Sequence, residues 1–110
     1  MSFNVIPTPD FKKLSKKLAK KYPSFRNDLK QLIRQLKVKP DTGISLGHST
    51  YKIRMAITSK GKGRSGGARV ITFLITEEQE VYLIYVYDKG ELENLTKDQI
   101  RVILQNAGLL

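Results

Sequence analysis

The chain has 110 residues, 40% of them hydrophobic and 8% aromatic, which suits one domain (residues 1–110) with one core and excludes a disordered or fibrous chain. Its 20 basic and 10 acidic residues give a net charge of +10, so the expected partner is anionic: nucleic acid, an acidic membrane or an acidic protein. There is no cysteine, which excludes disulfides and thiolate metal sites and points to a reducing compartment.

The charge is uneven. Residues 1–54 hold 13 Lys and Arg against 3 Asp and Glu, whereas residues 55–110 hold 7 of each. Phe3 to Ile6 is short and apolar and reads as a first strand. Thr8, Pro9 and Asp10 then form a helix start, with Thr8 as cap, Pro9 at the first helical position and Asp10 at the positive dipole end. Phe11, Leu14, Leu18 and Tyr22 recur at helical spacing, and lysines fill the rest of this helix. Lys13 and Lys17 belong to that run, which is either a solvated face or a grip on RNA. Pro23 ends the helix. A second helix to Leu36 buries Phe25, Leu29, Leu32, Ile33 and Leu36, and the short break makes the two a helical hairpin. Residues 40–49 read as a turn and loop, and His48, the lone histidine, is expected at the surface.

From Tyr51 the period changes to two. Tyr51, Ile53, Met55 and Ile57 alternate with Lys52, Arg54, Ala56 and Thr58, which puts two cations on the face opposite the apolar one. Residues 60–69 follow with four cations and four glycines. Lys60, Lys62 and Arg64 sit in this flexible loop, which suits a backbone and side chains that approach phosphates. The loop leads into an apolar strand over residues 69–75, expected to be covered on both faces. Glu77 to Glu80 is a turn, and Val81 to Tyr87 a third strand, giving an antiparallel meander. At least one of Tyr82, Tyr85 and Tyr87 is expected in the core. Thr96 and Gln99 fit a capping box before a last helix with an Ile100, Ile103, Leu104 and Ala107 stripe, ended by Gly108.

The only large apolar face open to the helical hairpin is the sheet. The expected fold is therefore α+β and two-layer: an N-terminal helical hairpin packed on an antiparallel β-sheet, with a C-terminal helix. The far face would display Lys52 and Arg54, joined by Arg69 if the strand register allows.

This order of parts resembles the RelE/ParE toxin superfamily of type II toxin–antitoxin modules, in particular its RelE/HigB-like branch. The resemblance rests on Gly61-Lys62-Gly63-Arg64-Ser65-Gly66-Gly67-Ala68-Arg69-Val70-Ile71 and on Tyr87-Asp88-Lys89-Gly90-Glu91-Leu92-Glu93-Asn94-Leu95-Thr96. It extends to the stretch from Leu46 to Arg54 and covers nearly the whole chain. Ala68 stands where the family often has an aromatic residue, and Gly90 and Glu91 where several members carry basic ones.

The resemblance implies a toxin that is a ribosome-dependent mRNA endonuclease, using attack by the RNA's own 2′-hydroxyl and needing no metal or other cofactor. It implies Arg69 as the phosphate ligand, Lys52, Arg54 and Lys89 as further members of the catalytic cluster, and Tyr87 as a stacking or proton-donating group. Lys60, Lys62, Arg64, Lys13 and Lys17 would bind RNA outside that centre. The implied partners are an acidic antitoxin, mRNA on the ribosome and operator DNA through the antitoxin complex only, in the cytoplasm and not at a membrane. Two other readings of the resemblance are a ParE-like gyrase inhibitor and an inactive member that binds RNA or antitoxin.

Overall fold

In the computed structural model, residues 2–92 and 94–110 are described; Glu93 of the second family-like segment lies outside them. Strand β1 (Asn4–Pro7) leads into helices α1 (Pro9–Lys21) and α2 (Phe25–Val38). Strands β2 (Ile44–Gly47), β3 (Thr50–Met55), β4 (Ala68–Ile75) and β5 (Glu80–Asp88) follow, and α3 (Lys97–Asn106) closes the chain. The sheet order is β1-β5-β4-β3-β2.

Local chemistry explains the helix boundaries. The Thr8 hydroxyl accepts from the Phe11 N–H and donates to the Leu83 carbonyl at 3.0 Å, so one side chain caps α1 and fastens it to β5. Pro9 occupies the first turn, as its missing N–H permits. The capping box of Thr96 and Gln99 is formed at the start of α3. Gly108 takes φ +73° just after α3, a conformation open to glycine at little cost.

The two N-terminal helices cover one sheet face. Phe11, Leu18, Phe25, Leu32 and Leu36 pack against Ile53, Met55, Val70, Val81, Leu83 and Val86. Leu14, Tyr22, Leu29 and Ile33 border this core, so both expected helical stripes are in place. Helix α3 lies on the opposite face, where Ile100 and Leu104 meet Ile71, Ile84 and Tyr87. Val70 and Ile71 are both fully buried, as a strand covered on both faces requires.

The sheet differs from the expected antiparallel meander in two ways. It is mixed, because β1 runs parallel to β5, with Val5 opposite Val81. It also has a strand where a loop was expected: β2 pairs with β3 through Ile44–Lys52 and Ser45–Tyr51. The connecting turn uses His48 (φ 51°) and Ser49 (φ 62°), both left-handed. Such two-residue turns favour Asn and Gly, and their absence hid the hairpin. His48 is exposed there.

A bulge in β5 sets the far face. Ile71 pairs with Tyr85 and Thr72 with Leu83, which leaves Ile84 as the extra residue. Tyr85 and Tyr87 thereby fall on the same side as Tyr82 and Ile84, against the strict alternation of a regular strand. None of the described helices is long and apolar enough to cross a membrane.

Candidate nucleic-acid interface

The β3–β4–β5 register brings the strand cations together. Arg54 pairs with Arg69, and Arg69 with Tyr87, so the three form a row across the sheet on the α3 side. Lys52, Ile71 and Tyr85 form the neighbouring row. Two like charges directly opposite each other destabilise a sheet, so this juxtaposition suits an anion that lies across it.

Each member has a distinct environment. Arg54 is exposed. Arg69 is only 5% exposed, and burial first and then the charge of Arg54 lower its pKa. The guanidinium is far from its titration range and stays charged. It donates to the carbonyls of Arg64 (3.0 Å), Ser65 (3.1 Å) and Ala68 (3.3 Å). Arg69 therefore holds the glycine-rich loop as well as facing Arg54, and among the described residues it forms no ion pair with Asp88 or a glutamate. The Lys52 ammonium donates to Asn94 Oδ1 at 3.2 Å, which draws the β5–α3 connection over β3.

Tyr87 carries the least ordinary group. Its hydroxyl, like that of Thr72, is buried with no hydrogen-bond partner among the described residues, and burial raises its pKa while Arg69 offsets part of that rise. Leaving a buried hydroxyl unpaired costs roughly 1–3 kcal/mol. Such a group calls for an explanation, and a catalytic or ligand-binding role is one of the recognised ones. The Tyr85 and Tyr87 rings lie 6.3 Å apart and tilted by 50°. Lys89 follows the strand and joins its N–H to the Gly67 carbonyl at 3.1 Å.

The cationic loop is drawn together by hydrogen bonds to its own backbone. It starts with a single 3₁₀ turn (Thr58–Lys60), which ends where Gly61 takes φ +71°. Lys60 Nζ reaches across the neck to the Gly66 carbonyl at 2.8 Å and to Asp88 Oδ1 at 2.7 Å. The carbonyls of residues 64, 65 and 66 are thus all taken by the two flanking cations, Arg69 and Lys60. A side chain at Gly67 would run into the Met55 carbonyl, so the strand entry requires glycine. Lys62 and Arg64 remain exposed at the rim. Arg64 and Arg54 line one depression of about 270 Å³ at the end of β3.

The expected RNA-binding residues therefore divide into three groups. Arg64 adjoins the arginine row, and Lys62 is exposed on the same loop. Lys60 is 15% exposed in its side chain and sits in an ion pair with Asp88. Lys13 and Lys17 are exposed on α1, in the layer on the other side of the sheet.

Sequence reasoning missed the acid network that supports this face. Asp88 is 3% exposed and accepts from Lys60, from the Tyr22 hydroxyl at 2.5 Å and from the Gly90 N–H at 2.9 Å. Burial alone would raise its pKa, but these donors outweigh it and bring the carboxyl to about 2. Asp28 similarly accepts from the Thr58 hydroxyl (2.6 Å) and N–H (2.9 Å), at the loop's first turn. The one local signal was an aspartate in phase with Val86, at the end of an otherwise apolar strand face. Among the described residues, no group of three or more His, Cys, Asp or Glu side chains could hold a metal ion.

Comparison with known proteins fits this architecture. The family profile described as the RelE toxin of the RelE/RelB toxin–antitoxin system matches residues 8–110. Among solved structures, a double arginine-to-alanine mutant of the E. coli toxin RelE in the free state aligns with a TM-score of 0.63 and 21% identity, over 98% of this chain and 96% of that one. At that identity the likeness is one of fold. Two N-terminal helices, a five-stranded mixed sheet and a C-terminal helix, with the profile matched from Thr8 to the last residue, place the chain in the RelE toxin family, the toxin side of a toxin–antitoxin pair.

Proposed function

We propose that the chain is a metal-independent endoribonuclease that cuts mRNA on the ribosome. The observation that supports this best is the row Arg54–Arg69–Tyr87, where two cations meet a buried hydroxyl that has no partner among the described residues. Cleavage by the RNA's own 2′-hydroxyl makes modest demands. The 2′-oxygen attacks phosphorus as its proton goes to a base, the P–O5′ bond breaks, and the departing 5′-oxygen takes a proton, leaving a 2′,3′-cyclic phosphate.

Arg54 and Arg69 stabilise charge growing on the phosphate oxygens. Tyr87, held in its protonated form by a raised pKa, donates the proton to the 5′-oxygen once RNA binding opens access to its buried hydroxyl. Lys52 and Lys89 are the amines from which the base is drawn. Lys62 and Arg64 hold the flanking backbone. Lys60 supports that loop and does not itself touch RNA. Lys13 and Lys17, behind the sheet, meet a different stretch of polyanion, such as structured ribosomal RNA. The antitoxin is an acidic segment that covers the arginine row, and binds operator DNA on behalf of the complex. The site of action is the cytoplasm.

Primer extension on mRNA from cells briefly expressing the chain tests this reading, with Arg54→Ala as control. Arg54 is the better control than Arg69, which also holds the loop. Cuts inside translated codons, lost in the control, are expected. Intact message would remove the nuclease reading.

A further inference from the structure

The cationic loop owes its shape to an acid outside it, at the end of the last strand. Asp88 gathers three segments that are far apart in sequence. Its carboxylate accepts from Tyr22 at the end of α1, from Lys60 at the entrance of the loop, and from the Gly90 N–H beyond β5. The same Lys60 ammonium also donates to the Gly66 carbonyl, six residues on, and so draws the loop shut at its neck. With the neck closed, the next carbonyls back, Ser65 and Arg64, are within reach of Arg69. The chain of contacts runs from Asp88 through Lys60 and Gly66 to the backbone that carries Arg64, and on to Arg69 in the strand row.

We propose that Asp88 is a positioning residue: acting through Lys60, it fixes the conformation in which the loop presents Lys62 and Arg64 beside the Arg54–Arg69 row. The ion pair suits this work. Both partners are shielded, with 2% and 15% of their side chains exposed, so their attraction is weakly screened by salt. Lys60 also lies 5.5 Å from the centroid of the Tyr22 ring, which further confines the ammonium. A loop of glycines has high entropy when free, and closing it in advance removes that cost from ligand binding.

The inference rests on the RNA reading for its consequence and on the free protein for its mechanism, and the two are tested separately. Asp88→Asn makes the protein one unit more positive. If the acid merely diluted a basic surface, the variant would bind a polyanion more tightly; if it positions the loop, binding weakens despite the added charge. The probe is a fluorescein-labelled, 2′-O-methyl-blocked single-stranded RNA read by anisotropy. Asp88→Asn and Lys60→Met are each expected to weaken binding about tenfold. The double variant is expected to bind no more weakly than either single one, since both break the same link.

Amide hydrogen exchange on the free protein supplies the second reading. Residues 61–67 are expected to exchange faster in Asp88→Asn by at least about tenfold more than residues 70–73 of β4, which report the general loss of stability. Equal acceleration in the loop and in β4 would mean general destabilisation and overturn the proposal, as would unchanged loop exchange or tighter RNA binding. If the wild-type chain neither binds nor cuts RNA, the functional reading fails, and exchange alone decides whether Asp88 holds the loop.

Discussion

The two faces of the sheet are built to different rules. Toward the helical hairpin, β3, β4 and β5 present Ile53, Met55, Ala68, Val70, Val81, Leu83 and Val86, nearly all fully buried. Toward α3, the same strands present Lys52, Arg54, Arg69, Tyr85 and Tyr87 beside Ile71 and Ile84. One face maximises apolar burial and holds the fold. The other gives up part of that burial to set two arginines opposite each other, and each face holds one buried hydroxyl with no partner among the described residues, Thr72 toward the hairpin and Tyr87 toward α3. Unfavourable features of this kind mark the α3 side as the candidate functional face.

The largest expected effect comes from breaking the first face. Phe25 is fully buried between α2 and the sheet, and Phe25→Ala should remove about 3–5 kcal/mol of stability. Denaturant unfolding followed by circular dichroism measures it, and a loss under about 1 kcal/mol would show that the hairpin is not the main support. Arg54→Ala tests the second face in the opposite sense. Arg54 is exposed and faces a like charge, so stability should stay within about 0.5 kcal/mol, while RNA cleavage falls about 100-fold. A matching loss of stability would mean that the arginine row supports the fold.

The first face was legible in the sequence and the second only in part. Helical spacing of Phe11, Leu14 and Leu18, and alternation from Tyr51 to Ile57, follow from periods that each element imposes on its own residues. Lys52 and Arg54 were legible for the same reason. The bulge at Ile84 was not, because it depends on how β5 meets β4, and without it the face of Tyr85 and Tyr87 could not be assigned. Strand β2 was hidden by its length of four residues and by a His-Ser turn. The Asp88 network joins residues 66 and 28 positions apart, which no local pattern encodes.

Asp88 also predicts a pH dependence. Its pKa in the fold, about 2, lies below the ordinary carboxylate value, so its contribution to stability is complete above about pH 4 and is lost as pH falls toward 2. The shift corresponds to about 2 kcal/mol. Urea unfolding at a series of pH values should show this loss in the wild type and a shallower one in Asp88→Asn. Parallel curves would mean that Asp88 is not ionised by its surroundings in the way its contacts imply.

The smallest effect is the most discriminating. Tyr87→Phe removes only the unpaired hydroxyl and keeps the ring that packs beside Tyr85, Ile84 and Ile100. Relieving a buried unsatisfied group should raise stability by up to about 1 kcal/mol. If the hydroxyl gives its proton to the departing 5′-oxygen, the same change should slow RNA cleavage and flatten the alkaline side of its pH profile, while RNA affinity stays near that of the wild type. A variant that is more stable and cuts as fast would make Tyr87 an ordinary core residue and leave the arginines to carry the site alone. Higher stability with slower cleavage would show that this face gives up packing energy for its chemistry.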